Sequence, residues 1–302
     1  MFGAIIVDDE IDDRDDMGAM TERLLLLNDP VGINRSISPM DGMHGRAGQT
    51  VRVNGVVQPV LTAVPGSLER WRVVNASSSR PLAVSLSDAA MHLIGSDGGR
   101  LSSAREMAGL VLVPGERAEL VVEVPSTPGE LLVGDDGAGQ PLAVLSASGP
   151  PISSPANEIP TDLGVHASVS ADSVVRERTV TFGVEMEMGS MMSDDSGLAF
   201  SIDGETFDPS RTDIRVAAGT VEEWRIVNTT GMDHPFHLHA WPFEVLGDDA
   251  WPGWKDTVNV PGSGEVTIRI PFVGQTGRSV YHCHILDHED LGMMGVIDVQ
   301  PA

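Results

Sequence analysis

The chain has 302 residues, 41% of them hydrophobic, and 44 acidic against 19 basic residues give a net charge of −25. Such a surface repels nucleic acid and anionic membranes, and the sequence has no run of 18 or more apolar residues that would cross a bilayer as a helix. With one cysteine, Cys283, no intrachain disulfide can form.

This length allows about two domains. Plentiful Gly and Pro, few aromatics and short Val and Thr runs favour strands joined by turns over helices. The cations are nearly all Arg, Lys255 being the only lysine; a salty habitat and a GC-rich genome account for that bias equally well.

In chain order, MFGAIIVDDEIDD has neither a basic start nor a long apolar stretch, so it does not read as a secretory signal. VNGVVQPV (53–60) leads into GSLERWRVVN (66–75), whose apolar and charged residues alternate at the period of a half-buried strand. NASSSRPLAVSLS, VPGERAELVVEV (113–124) and GELLVGDD (129–136) follow. SASGPPISSPANEIPTDLG (146–164) is rich in Pro and Ser without periodicity and reads as a linker.

Beyond it the same order returns. IDGETFDP (202–209) echoes VNGVVQPV, GTVEEWRIVN (219–228) matches GSLERWRVVN, and VPGSGEVTIRIP (260–271) parallels VPGERAELVVEV. Three matched blocks at a period near 150 residues describe one fold written twice. The class is all-β, with two tandem Greek-key β-sandwich domains. FGVEMEMGSMM (182–192) reads as a half-buried strand with Met on one face, or else as a soft-metal patch, since thioethers bind Cu(I).

Comparing the copies isolates the chemistry. Aligning Pro81 with Pro235 sets Arg80 opposite His234, Ala83 opposite His237 and Ser85 opposite His239; Gly134 and Asp135 fall opposite His282 and Cys283. A scaffold that stands without histidines and thiol in one copy does not need them for packing in the other. Six of the nine histidines lie in HPFHLH (234–239) and HCHILDH (282–288), whereas His44, His92 and His166 read as satisfied core residues. In a strand, His282 and His284 share one face and Cys283 takes the other. Cys283, His288 and Met293 follow at five-residue intervals, and His234 is the candidate fourth ligand from another strand. Two imidazoles, a thiolate and a weak thioether suit blue copper better than zinc. On the other face, His237, His239, His282 and His284 supply four imidazoles for a second copper centre.

HPFHLHAWPF, WKDTV and HCHILDHEDLGMMG resemble the C-terminal copper motifs of the multicopper oxidases, the family of laccases, bilirubin oxidases and bacterial cuprous oxidases. Three cupredoxin domains are usual there, and these would be the second and third. Residues 1–13 would then be the remnant last strand of a first domain, 14–148 a cupredoxin domain without copper ligands, 149–166 the linker and 167–302 the copper-binding domain. The resemblance assigns His234, Cys283, His288 and axial Met293 to type 1 copper, His237 to type 2, and His239, His282 and His284 to the type 3 pair. Electrons from a reducing substrate would pass through Cys283 to His282 and His284, and four would reduce O2 to water.

The family's trinuclear centre uses eight histidines, four from two His-x-His motifs in the first domain, and no such motif precedes residue 234. Met1 therefore reads as an internal start, and a first domain or an oligomer partner would complete the oxygen site. The alternatives are a non-enzymatic type 1 electron carrier or copper-binding module, and a copper-free structural relative. Met232 and Asp290 match residues that bind substrate copper in the cuprous-oxidase branch, while a third carboxylate position is Thr230. With Met186 and Glu187 nearby, Cu(I) stands slightly ahead of phenols and aromatic amines. The resemblance implies a periplasmic or extracellular protein.

Overall fold

Alternation of buried and exposed residues along short segments makes strands the dominant regular structure among the described residues. The structure is a computed structural model that describes residues 3–7, 10–32, 38–152, 158–164, 168–186, 198–247 and 253–301. Contacts divide the chain into two units, Met1–Pro30 with Gly48–His166, and Val31–Ala47 with Ala167–Ala302.

The first unit holds β1 (Thr21–Asn28), β2 (Arg52–Val53), β3 (Val60–Ala63), β4 (Leu68–Asn75), β5 (Leu82–Leu86), β6 (Met91–Ser96), β7 (Gly99–Met107), β8 (Gly109–Leu112), β9 (Arg117–Glu123), β10 (Gly129–Asp135) and β11 (Ala143–Ala147). Their sheets run β2-β1-β4-β9-β6-β7 and β3-β11-β10-β5-β8. The second unit holds β12 (Val174–Met186), β13 (Leu198–Ile202), β14 (Ile214–Ala217), β15 (Val221–Asn228), β16 (His234–Leu238), β17 (Phe243–Leu246), β18 (Trp254–Lys255), β19 (Thr257–Val260), β20 (Glu265–Pro271), β21 (Gly277–Cys283) and β22 (Met294–Gln300). Its sheets run β13-β12-β15-β20-β17-β18 and β14-β22-β21-β16-β19. Adding eleven to each strand number of the first unit gives the second, so the sequence repeat is a repeat of topology. Three short α-helices, α1 (Asp15–Gly18), α2 (Pro39–His44) and α3 (Leu286–Asp290), and a 3-10 turn at Ala171–Ser173 complete the described elements.

The residues shared by the two copies serve this scaffold. Trp71 and Trp224 are fully buried, and each indole N–H donates to the glutamate two residues earlier, Glu69 at 2.8 Å and Glu222 at 2.9 Å. Those carboxylates also accept from Arg23 and Arg178 on the neighbouring parallel strands. A buried carboxylate is tolerable only when paired and hydrogen-bonded in this way. Asn75 and Asn228 donate their side-chain amides to carbonyls of the loops that follow, Arg80 O at 2.8 Å and Met232 O at 2.7 Å.

The structure departs from the sequence reading in several places. Residues 31–47 were expected in the domain spanning 14–148, yet they group with the second unit, because α2 packs on α3 and β13. Residues 3–7 form no strand and are exposed. Part of the expected linker is docked instead: Leu163 is buried in a small cluster with Met17, Met20, Ile94 and Val121. Asp135, set opposite Cys283 by the sequence, pairs with Ala83 as His282 pairs with His237. A bulge at Gly134 shifts the register; its φ is +61°, and a Cβ would lie 2.5 Å from the Ala83 carbonyl oxygen. His44 is exposed, not in a core, whereas His92 is largely buried against the Glu123 carboxylate at 2.6 Å. His166, Glu187 and the methionines of 188–192 lie outside the described residues.

Candidate metal centre

Strand parity sorts the histidines. On β16, His234, Phe236 and Leu238 face the core, so His237 and His239 face away from it. On β21, Tyr281 and Cys283 face the core and His282 lies on the opposite side. The ladder pairs Phe236 with Cys283 and His237 with His282, bringing like with like on both faces.

On the core face, Cys283 Sγ is 3.5 Å from His234 Nδ1 and 3.6 Å from His288 Nδ1, and the two Nδ1 atoms are 3.0 Å apart. All three side chains are fully buried. Met293 is buried in the same cluster and tied by its backbone to both neighbours, its N–H donating to His288 O at 2.9 Å and its carbonyl accepting from Cys283 N at 3.1 Å. Gly292 makes that turn possible: its φ is +110°, and a Cβ would lie 2.9 Å from the Phe200 carbonyl oxygen.

The partners of each ring fix where its proton sits. His288 Nε2–H donates to Met43 O at 3.1 Å, leaving a lone pair on Nδ1. Asn228 spends its amide hydrogens on carbonyls, so its oxygen must accept the Thr230 hydroxyl at 2.8 Å. Thr230 Oγ1 in turn accepts from His234 Nε2–H at 2.8 Å. Both Nδ1 lone pairs therefore face each other, beside a thiol that has one proton to share. A soft cation satisfies all three donors at once, and one thiolate with two imidazoles and a nearby thioether suits copper. Burial pushes His234 down to about 3, helped by the charge of His288, and pushes His288 down to about 4. Burial also raises the Cys283 thiol strongly, so it stays protonated until a cation displaces the proton.

On the opposite face, His237 Nδ1–H donates to Asp256 O at 2.8 Å and lies 3.0 Å from Thr257 Oγ1. His282 Nδ1–H donates to Cys283 O at 2.8 Å. Both rings therefore keep Nε2 as the acceptor, and His282 Nε2 faces His239 Nε2 at 3.0 Å. These three can offer ligand atoms within 4.8 Å of one another. The His284 ring lies 5.4 Å from that of His237 and 5.7 Å from that of His282. Burial holds His282 down to about 3 and lowers His239 as well. Glu289, raised chiefly by burial, lies 3.3 Å from His282 Nδ1.

The residues read as a substrate site are less tightly bound together. Met232 is partly buried against the core, and Asp290 is exposed at the end of α3. Thr230 is engaged with His234. Met43 was missed by the sequence reading, and its carbonyl reaches His288 from 245 residues away. Ser38, Pro39 and Asp41 carried the signal of a helix start, because Ser38 and Asp41 form a reciprocal capping box.

Two family profiles, each described as multicopper oxidase, match residues 26–134 and 179–302. The structure of a laccase-like multicopper oxidase from an Ochrobactrum species superposes with a TM-score of 0.80 at 30% identity, covering 93% of this chain and 67% of that one. The chain belongs to the multicopper oxidase family. It is also similar to the multicopper oxidase mco of Staphylococcus haemolyticus, 34% identical over 84% of this chain and 53% of that protein. The laccase of Bacillus subtilis is 29% identical over 83% of this chain and 54% of its own length. This multicopper oxidase chain thus spans about half the length of the curated relatives it matches. Copper is the metal of the family, and the His-Cys-His group of this chain suits it.

Proposed function

We propose that this chain supplies the electron-accepting site and half of the oxygen-site ligands of a multicopper oxidase. In that reading His234, Cys283, His288 and axial Met293 hold type 1 copper, His237 holds type 2, and His239, His282 and His284 hold the type 3 pair. Copper would supply a one-electron couple at the first site and, at the second, the centre where O2 takes up four electrons and becomes water. The chain's own part is to bury the thiol, keep both Nδ1 lone pairs free, and link the two faces covalently through residues 282–284. The single observation that carries this is the convergence of Cys283 Sγ and two lone-pair-bearing Nδ1 atoms within 3.6 Å in a fully buried pocket. Four imidazoles are half of the trinuclear set that the resemblance implies, and a further domain or an oligomer partner would supply the others.

Adding copper to the full chain and recording absorption tests it. An intense blue band that disappears in Cys283→Ser is expected; a colourless complex refutes the assignment. A second reading, a type 1 electron carrier without oxidase activity, is favoured because only His44, His92 and His166 lie outside the two clusters. Oxygen uptake separates the two readings: a carrier is reduced and reoxidised without consuming O2.

For substrate, Met232 two residues before His234 and the acidic Asp290 at the end of the helix that carries His288 support Cu(I). The Ochrobactrum neighbour, which oxidises lignin model compounds and lignosulfonate, supports phenolic donors. The periplasm or cell exterior is proposed as the location on the resemblance alone.

A further inference from the structure

Three sides of the His288 ring are occupied inside its own unit. Phe200 stacks on it with centroids 4.1 Å apart, His234 lies 4.8 Å away, and Nδ1 faces the thiol. The remaining polar edge, Nε2–H, is held by the Met43 carbonyl at 3.1 Å. Met43 lies in α2, whose outer side presents exposed Ser38, Met40 and His44 to solvent.

Two devices fasten this segment. The Ser38–Asp41 capping box closes its start. At its end, Arg46 grips Asp287, the residue before His288: the backbone N–H donates to Oδ2 at 2.6 Å and Nε donates to Oδ1 at 2.8 Å. Asp287 is almost fully buried, so the pair is a latch that water barely screens.

We propose that residues 38–46 are a cover over the outer edge of His288, latched by Arg46 and Asp287, which selects the electron donor. The proposal rests on His288 being a type 1 ligand. A donor arriving from solvent meets α2 before it meets the imidazole. While Met43 O holds Nε2–H, an aromatic ring cannot stack on or hydrogen-bond to that edge. The shut cover therefore favours compact donors that give an electron across it, and disfavours bulky phenols that need contact. Each donor molecule loses one electron and reduces one Cu(II) to Cu(I); a phenol also releases its proton to solvent.

The test uses the full chain in two states. In the metal-free protein, amide hydrogen exchange over 39–46 and the 15N resonance of His288 Nε2 report whether the cover is shut. In the copper-loaded protein without O2, stopped-flow bleaching of the blue band is compared for hexaammineruthenium(II) and 2,6-dimethoxyphenol. Arg46→Gln loosens the latch. Ser38→Ala with Asp41→Ala loosens α2 without touching Asp287, so the test survives if Arg46→Gln does not fold.

Loosening should raise exchange over 39–46 and speed the phenol by about tenfold or more while the ruthenium donor changes by less than about twofold, because a donor that needs the open state gains with its population. An unchanged phenol rate despite faster exchange overturns the cover. Equal acceleration of both donors also overturns it, since that signals altered driving force and not access. A wild-type chain that takes copper without blue colour defeats the functional reading first, and the donor-selecting role with it.

Discussion

Thr230 settles the protonation of His234, although it stands where the resemblance led us to look for a carboxylate. Its hydroxyl must donate to Asn228, so it accepts from His234 and turns the Nδ1 lone pair toward the thiol. Thr230→Val removes that acceptor and leaves the buried His234 Nε2–H unsatisfied, while Asn228 Oδ1 keeps the backbone N–H of residue 230 at 2.9 Å. Urea denaturation of the metal-free chain should register a loss of about 1–3 kcal/mol; a neutral effect would mean that another group orients the ring. The buried imidazoles also make a pH prediction. His234 and His282 titrate near 3 and His288 near 4 when folded, against 6.5 for the ordinary imidazole. Folded values depressed in this way mean that the unfolded chain binds more protons between pH 6.5 and about 4. Stability is then full above 6.5 and falls on acidification by up to about 1.4 kcal/mol per pH unit for each imidazole. The urea midpoint of metal-free protein should drop clearly from pH 7 to pH 5, and a flat profile would contradict the buried, neutral state. The histidines themselves were legible in sequence because six clustered imidazoles and a lone thiol have little use in packing. The direction of the Thr230 hydrogen bond was not, since it depends on where Asn228 sends its amide.

At the scale of the element, β4 and β15 were legible because Glu-x-Trp recurs at the same offset in both copies, and the structure gives that recurrence its cause. Each indole needs the glutamate, and each glutamate needs its arginine. Glu222→Ala strips the Trp224 N–H of its acceptor and leaves the Arg178 guanidinium with the Arg215 carbonyl but without its carboxylate, with an expected cost of about 3 kcal/mol in urea denaturation; a change below 1 kcal/mol, roughly the value of a surface pair, would show that the brace is dispensable. Gly292→Ala should also destabilise, because its backbone conformation and the nearby Phe200 carbonyl leave no space for a Cβ. Two features escaped the sequence. The bulge at Gly134 moves one strand by a residue, which block matching cannot see. The grouping of 31–47 with the second unit depends on the grip of Arg46 on Asp287, a contact between residues 241 apart.

Over the whole molecule, one topology is used twice, and among the described residues both His/Cys groups lie in the second copy. In the first unit the position matched to His234 is Arg80, whose guanidinium donates to Asp29 at 2.9 Å and to Gly48 O at 2.7 Å. A covalently held cation stands there with a carboxylate, so the position is filled by packing and charge pairing in that unit. The repeat makes the candidate residues legible in the sequence, because copies that share scaffold residues expose by difference those that one copy alone carries. The central claim is that Cys283, His234 and His288 together hold one copper through a thiolate bond. Titrating the metal-free full chain with Cu(II), while following absorption and proton release together, tests it most directly. A blue band that rises with a thiol proton released per copper, and that is lost in Cys283→Ser, is the expected result. Copper bound with no blue band, or an unchanged band in the serine variant, would contradict it.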